Sequence, residues 1–320
     1  MQPVASLSLD ADNQWAYQMI RGQADWERAP SYLPAMTDRA LELLDARSLH
    51  ATFFLVGRDA EADADAAAFA ALAAAGHEIG NHSYRHEPWL HRYSEIELDD
   101  ELGAAEVAIT AATGVHPTGF RGPGYSLSTA TLRVLQRRGY RYDASTLPMI
   151  LGPIARAVYF RTARLTVEQR AERSLLYGSW SDARRPIRPY RWSLPGGGPV
   201  ELPVTVLPFL RLPVHVSYLL MLSVYSEAAA RAYLRVALRT CRAARVEPSI
   251  LLHPLDVLSG DEVPDLRFFP GMQIPTAVKL QRVGSYLDLL ARDYTVVTVG
   301  EHVERATARG LPERGPDFSS

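Results

Sequence analysis

Short apolar runs alternate along this chain with longer stretches of helical spacing. Residues 5–9 alternate apolar and small polar positions and predict a short buried strand. Leu33, Met36, Ala40, Leu43 and Leu44 recur at helical intervals and predict a helix over 33–49. Ala51-Thr52-Phe53-Phe54-Leu55-Val56-Gly57 is β-branched and aromatic, a strand closed by its glycine. An alanine-rich helix over 61–75 stops at Gly76, and 77–80 is another short strand. Ser94, with Glu97 three residues on, is a capping box that opens a helix to about Thr113. A strand at 118–120, a helix from Ser128 to Gly139 and a strand at 140–142 follow. Periodicity fades over 144–199. It returns as strand over 200–206, helix over 226–245, strand over 248–252, helix over 274–291, strand over 295–299 and a short closing helix. The tail, 306–320, is expected to fray.

Seven or eight alternations of strand and helix predict an α/β chain with a parallel sheet, closed as a barrel or open and doubly wound. The polar residues with chemical potential fall just after strands, where a barrel gathers its active site. One catalytic unit over 1–305 is expected, with 144–199 as an insert. The insert carries Arg156, Arg161, Arg164, Arg170, Arg173, Arg184, Arg185, Arg188 and Arg191, opposed only by Glu168, Glu172 and Asp182. It reads as a basic surface excursion or as a lid over an anionic substrate. The apolar stretches 204–210 and 214–222 read as core. If exposed beside arginines, they would suit a lipid-phosphate-linked sugar at a membrane surface.

Composition narrows the function classes. The 320 residues are 47% hydrophobic, enough for one large core or two ordinary ones. A formal net charge of −2 gives no global field for nucleic acid. Cys241 is the only cysteine, so an intrachain disulfide or thiolate cluster is excluded, and it reads as packing. The first residues lack a basic, then apolar leader pattern, and no apolar run reaches the roughly 18 residues of a membrane span. The expected location is cytoplasmic, with the inner face of the membrane as an alternative.

The densest chemistry is Asn81-His82-Ser83-Tyr84-Arg85-His86. If it turns helically, His82 and His86 lie one turn apart on one face, within reach of a shared divalent cation. Alone, such a pair is more often two surface histidines. Asp10 and Asp12 stand two apart at a strand end and share a face in an extended chain. They suit a metal ligand and a base, or simply an Asx turn. Gly119-Phe120-Arg121-Gly122-Pro123-Gly124-Tyr125 is a rigid turn that can aim N–H groups at an oxyanion, while Arg121 can fork onto a carboxylate. Ser249-Ile250-Leu251-Leu252-His253-Pro254 delivers His253 at the end of an apolar strand, as a core residue or a proton donor.

Taken together, these motifs resemble the polysaccharide deacetylases of carbohydrate esterase family 4, the NodB homology domain. Ser8-Leu9-Asp10-Ala11-Asp12 matches the family's first motif and His82-Ser83-Tyr84-Arg85-His86 its second. Arg121-Gly122-Pro123-Gly124-Tyr125 matches the third and Leu251-Leu252-His253 the fifth. The usual Asp-Asp-Gly reads Asp10-Ala11-Asp12-Asn13 here, and the fourth motif keeps Asp143 without an adjacent tryptophan. The resemblance implies an irregular (β/α)7–8 barrel, TIM-barrel-like. It implies one divalent ion on Asp12, His82 and His86, zinc first, with cobalt, nickel or iron suiting the same donors. Asp10 would be the base, oriented by Arg121, and His253 the acid. The N–H of Tyr125 would hold the oxyanion, and Asp143 would tune His253. The implied activity is removal of an N-acetyl group from an amino sugar, free, polymeric or lipid-linked. Two alternatives stand beside it: hydrolysis of a non-sugar amide, formamide or cyclic ureide, and an inactive carbohydrate-binding relative.

Overall fold

The computed structural model describes residues 2–152, 165–172 and 182–318. Among them, ten strands form one sheet. In chain order they are β1 (Val4–Asp10), β2 (Thr52–Leu55), β3 (Glu78–Asn81), β4 (Gly119–Phe120), β5 (Tyr142–Asp143), β6 (Tyr190–Trp192), β7 (Val200–Glu201), β8 (Ser249–Leu252), β9 (Thr295–Val297) and β10 (Glu313–Arg314). The spatial order is β10-β6-β7-β5-β4-β3-β2-β1-β8, and β9 pairs with the first half of β1. Every pairing is parallel except that of β6 with β7.

The sheet curls into a half-barrel, and the chain leaving β7 spans the gap to β8. Leu202 N–H donates to the Asp143 carbonyl, Val204 N–H to Thr146 and Thr205 N–H to Ser249. The expected irregular (β/α) barrel is therefore present, with its last seam made by single hydrogen bonds. For the same reason the strand expected over 200–206 stops at Glu201. The central strand β1 is buried at every residue, as a parallel strand covered on both faces must be.

Helices cover the outside. The helix α1 (Gln14–Ile20) follows β1 and is capped by the Asn13 side chain, which accepts the Gln14 N–H. In α2 (Leu33–Asp45) the residues read at helical spacing, Leu33, Met36, Ala40, Leu43 and Leu44, face the core. The helix α3 (Asp63–Ala74) follows β2, and α4 (Glu95–Thr113) begins with the reciprocal Ser94–Glu97 capping box. The helix α5 (Thr129–Arg137) is capped by Ser128. Later helices are Val167–Glu172, Val216–Tyr225, Glu227–Ala243, Thr276–Asp293 and Val299–Ala308. No helix among the described residues is long and apolar enough to cross a membrane.

Two expectations change. The tail does not fray through residue 318. Its strand β10 pairs with β6, Phe318 packs against Trp192 at 5.4 Å, and Asp317 meets Arg185 at 2.9 Å. The insert 144–199 is also not wholly an excursion, because Tyr190 and Trp192 are buried with Leu132, Leu135 and Tyr140. Arg156, Arg161, Arg164 and Arg173 lie outside the described residues. Arg185 is buried and paired, Arg188 donates to the Ala244 carbonyl and Arg191 to that of Gly198. These three arginines serve the scaffold.

Candidate metal centre and active site

Parallel strands place their C-terminal ends at one mouth, and the ends of β1, β3, β4, β5 and β8 carry the polar residues. His82 follows β3 directly. The helical turn expected here does not form. Residues 82–86 make a tight loop with Ser83 at φ 65 and His86 at φ 52. Each left-handed non-glycine residue costs about 1–3 kcal/mol, so the surroundings must hold the loop. Asn81 Oδ1 accepts the Ser83 N–H at 2.7 Å, and Ser83 Oγ accepts the His86 N–H at 3.1 Å. The Glu101 carboxylate of α4 accepts the N–H groups of Tyr84 and Arg85 at 3.0 and 2.6 Å. The two imidazoles meet, centroids 4.9 Å apart, through this loop and not through helical spacing.

One oxygen of Asp12 lies 2.9 Å from His86 Nε2 and 3.2 Å from His82 Nε2. One ligand atom from each of the three lies within 4.8 Å of the others, and all three residues are buried. His82 Nδ1 sits 2.6 Å from the Arg121 carbonyl. A carbonyl only accepts, so Nδ1 carries the proton and Nε2 turns to Asp12, the tautomer and orientation of a metal ligand. Burial pushes the Asp12 carboxyl up, but His86 and His82 outweigh it and hold it well below the usual range. Burial pulls His82 down, while Asp10 and Asp12 carry it above its ordinary value. The spot attracts positive charge, and its two imidazole nitrogens and one carboxylate oxygen fit a divalent first-row ion.

Asp10, at the end of β1, accepts Arg121 Nη1 at 2.6 Å. Arg121 is fully buried. It also donates to Ser8 Oγ and the Ala144 carbonyl, each at 2.9 Å, and lies 4.3 Å from the Phe54 ring centre. The guanidinium is thus fixed and fixes Asp10. The turn after it demands glycine at 122, where a Cβ would come within 2.1 Å of the Ser126 carbonyl oxygen.

His253 ends β8. Its backbone N–H donates to Asp256 at 2.9 Å, and its Nδ1 lies 3.2 Å from Ser217 Oγ. Ser217 in turn donates to Asp256 at 3.0 Å. The hydroxyl proton is thus used, so Nδ1–H donates to Ser217 and Nε2 is left for chemistry. Burial pushes the Asp256 carboxyl up, and His253 opposes that. His215 packs 5.7 Å from the His253 ring, and burial holds it well below its ordinary value, as a neutral imidazole.

Two residues named from the sequence stand elsewhere. Among the described residues, Asp143 makes no hydrogen bond with His253. It accepts Ser145 Oγ, which itself accepts the Gly122 N–H at 2.7 Å, so it braces the Arg121 turn. Burial and the neighbouring Glu201 push its carboxyl well up. Tyr125 enters at φ 64 with its N–H donated to the Gly122 carbonyl at 2.9 Å. In this arrangement that N–H serves the turn, and the expected oxyanion part would require it to leave the Gly122 carbonyl. The Tyr125 ring packs instead on Leu147, Met149, Val204, Val206 and Leu251.

Ser217, Asp256, His215 and Tyr17 were not legible as site residues. Asp256 could have been found, three residues after His253 in a capping pattern. Tyr17 lies on α1, which was not predicted. Burial raises its phenol, and Asp12, Tyr32, Asp256 and Asp10 raise it further.

The fold and the site define a half-closed (β/α) barrel with a buried Asp-His-His cluster at its C-terminal mouth. Residues 25–142 match the polysaccharide deacetylase family model, which upholds the resemblance carried by the motifs. That span holds His82, His86, Arg121 and Tyr125 but not Asp10, Asp12 or His253. The chain is 33% identical over 109 residues to a peptidoglycan deacetylase of Helicobacter pylori, covering 34% of this chain and 36% of that one. It is 31% identical over 107 residues to a chitin deacetylase of a Pestalotiopsis species, covering 33% and 36%. The chain thus spans about a third of the length of the curated relatives it matches.

Solved structures extend the likeness to the whole fold. A Mycobacterium smegmatis protein provisionally described as a polysaccharide deacetylase superposes with a TM-score of 0.66 at 20% identity, covering 100% of this chain and 96% of that one. Puue allantoinase does so with a TM-score of 0.59 at 16% identity, covering 97% and 92%. At these identities the likeness speaks for the fold alone.

Proposed function

We propose that the protein is a metal-dependent hydrolase that removes the N-acetyl group of an amino sugar in a glycan or lipid-linked saccharide. The observation that carries this reading is the convergence of the Asp12–His82–His86 cluster with the Asp10–Arg121 pair at one barrel mouth. A divalent cation on Asp12, His82 and His86, zinc being the first choice, supplies Lewis-acid polarisation of the amide carbonyl and acidifies water beside it.

The chain's own residues do the rest. Asp10, held in one orientation by Arg121, accepts the proton of the attacking water. His253 delivers a proton from Nε2 to the amide nitrogen, which would otherwise leave as a very poor anion. Ser217 and Asp256 hold its other nitrogen. The wall of Tyr125, Leu251 and Val206 suits a small acyl group. The products are a free amine and acetate. A catalytically dead carbohydrate binder is disfavoured, since binding alone needs neither a fixed base nor a relayed acid.

The test is acetate release from a panel of N-acetylhexosamine oligomers and lipid-linked precursors, with and without chelator. Asp10→Asn is expected to keep zinc binding by calorimetry while turnover falls by about 100-fold or more. His82→Ala is expected to lose both. Full activity of Asp10→Asn would remove the mechanism. Turnover of cyclic ureides or formamides with no release from any sugar would move the assignment to the second amide class.

A further inference from the structure

From Ala183 to Tyr225 the chain carries Arg184, Arg185, Arg188, Arg191 and Arg211 against one acid, Glu201, and that acid is buried. Within this segment residues 206–213 form a hairpin. Val206 bridges antiparallel to Pro213, Leu207 N–H donates to Leu212 at 2.7 Å, and Arg211 N–H donates to Leu207 at 2.8 Å. The tip holds Phe209 at φ 70 and Arg211 at φ 54, left-handed for residues with a Cβ. Phe209 is 84% exposed and Leu210 60%.

A strained turn, pinned by hydrogen bonds and presenting two large apolar side chains to water, is unfavourable on both counts. The helix that follows it, Val216–Tyr225, adds exposed Met221 and Tyr225. The base of the hairpin belongs to the site, since Val206 packs with Leu251 in the cluster that carries Tyr125. Arg211 donates to the Arg185 carbonyl at 2.6 Å, and Arg184 beside it is exposed.

We propose that the hairpin 206–213 docks the protein on an anionic lipid surface. Phe209 and Leu210 enter the headgroup–acyl boundary, and exposed Arg184 with half-buried Arg211 meets lipid phosphates. A bilayer is favoured over a protein partner because the apolar tip stands beside Arg184 and Arg211, while the nearby carboxylates Asp182 and Asp317 are taken up by Arg185. The docking rests on the hairpin alone. Only its consequence, delivery of a lipid-carried sugar to the wall of the site, rests on the deacetylase reading.

The full-length protein is sedimented with vesicles of phosphatidylcholine alone or mixed with phosphatidylglycerol. Binding is expected to the anionic vesicles, at least about tenfold weaker in 0.5 M salt. It is expected to fall about tenfold or more in the Phe209→Ser, Leu210→Ser double variant. A Phe209→Trp variant guards against a perturbed turn, because its added emission is expected to shift blue and to be quenched by brominated acyl chains. Equal vesicle binding by the parent and the serine double variant would overturn the proposal, as would unquenched emission. A concentration-dependent dimer lost in the same double variant would assign the face to a second copy and overturn it too. Turnover of a soluble N-acetylated substrate is expected to be unchanged in the serine variant. Failure of docking is thereby distinguished from failure of the deacetylase reading.

Discussion

At the scale of single residues, the chemistry depends on buried polar groups whose partners fix one orientation. Ser217 is the clearest case, since a single hydroxyl joins His253 Nδ1 to the Asp256 carboxylate. Ser217→Ala unties that nitrogen, and kcat is expected to fall about tenfold with KM little changed and the alkaline limb of the pH profile displaced. Ser217→Thr restores a hydroxyl and is expected to recover most of the loss, whereas an equal loss with threonine would deny the relay. Asp59 gives a prediction of a different kind. Its carboxylate accepts Asn13 and Trp15 at 2.9 and 2.7 Å, yet burial pushes it from 3.8 to about 7. An acid whose folded value exceeds its unfolded one binds more protons when folded. Its stabilising contribution is therefore complete below about pH 4 and declines as pH rises toward 7. Urea melts at pH 5 and 7.5 are expected to differ by roughly 2 kcal/mol more in the parent than in Asp59→Asn, which removes the titration. A parallel slope in both proteins would assign the decline to other groups.

At the scale of elements, the histidine loop shows what a linear sequence conveys and what it withholds. The residues His82 and His86 were legible as a pair, and Asp12 as their partner, because the types and order carry the donor chemistry. The means of bringing them together was not legible. Four-residue spacing imitates a helical turn, while the structure uses two left-handed residues braced from outside. The brace comes from Glu101, buried on α4, whose carboxylate has no periodic signature. Glu101→Ala is expected to weaken zinc binding by at least about tenfold in calorimetry while the fold persists, with Glu101→Gln partly restoring it. Unchanged affinity in the alanine variant would show that the loop holds itself. Element boundaries failed for the same kind of reason. The stretch expected as a strand over 200–206 is extended, but it satisfies its N–H groups across a seam and forms no regular ladder. The resemblance implies that Asp143 tunes His253, whereas its neighbours Ser145 and Glu201 give it a bracing part.

At the scale of the molecule, the alternation of strand and helix made a parallel sheet covered on both faces legible, closed or open, and the resemblance carried by the motifs implied the barrel. The end of the chain was misjudged because a polar tail looks mobile until the surface it meets is known. Removing residues from 311 onward is expected to lower Tm by several degrees, since β6 loses its neighbour and Trp192 its cover. An unaltered melt would make β10 a decoration.

The strand β1 is made well before its partners β8 and β9, which begin at Ser249 and Thr295. During synthesis, the strand carrying Asp10 therefore waits until β8 and β9 have been made before that flank is paired, a long interval in which an apolar edge stands open. Shortened products that lack these strands should be targets for chaperones and proteases, and a nascent chain should complete its catalytic cluster only once β8 has brought His253 into place.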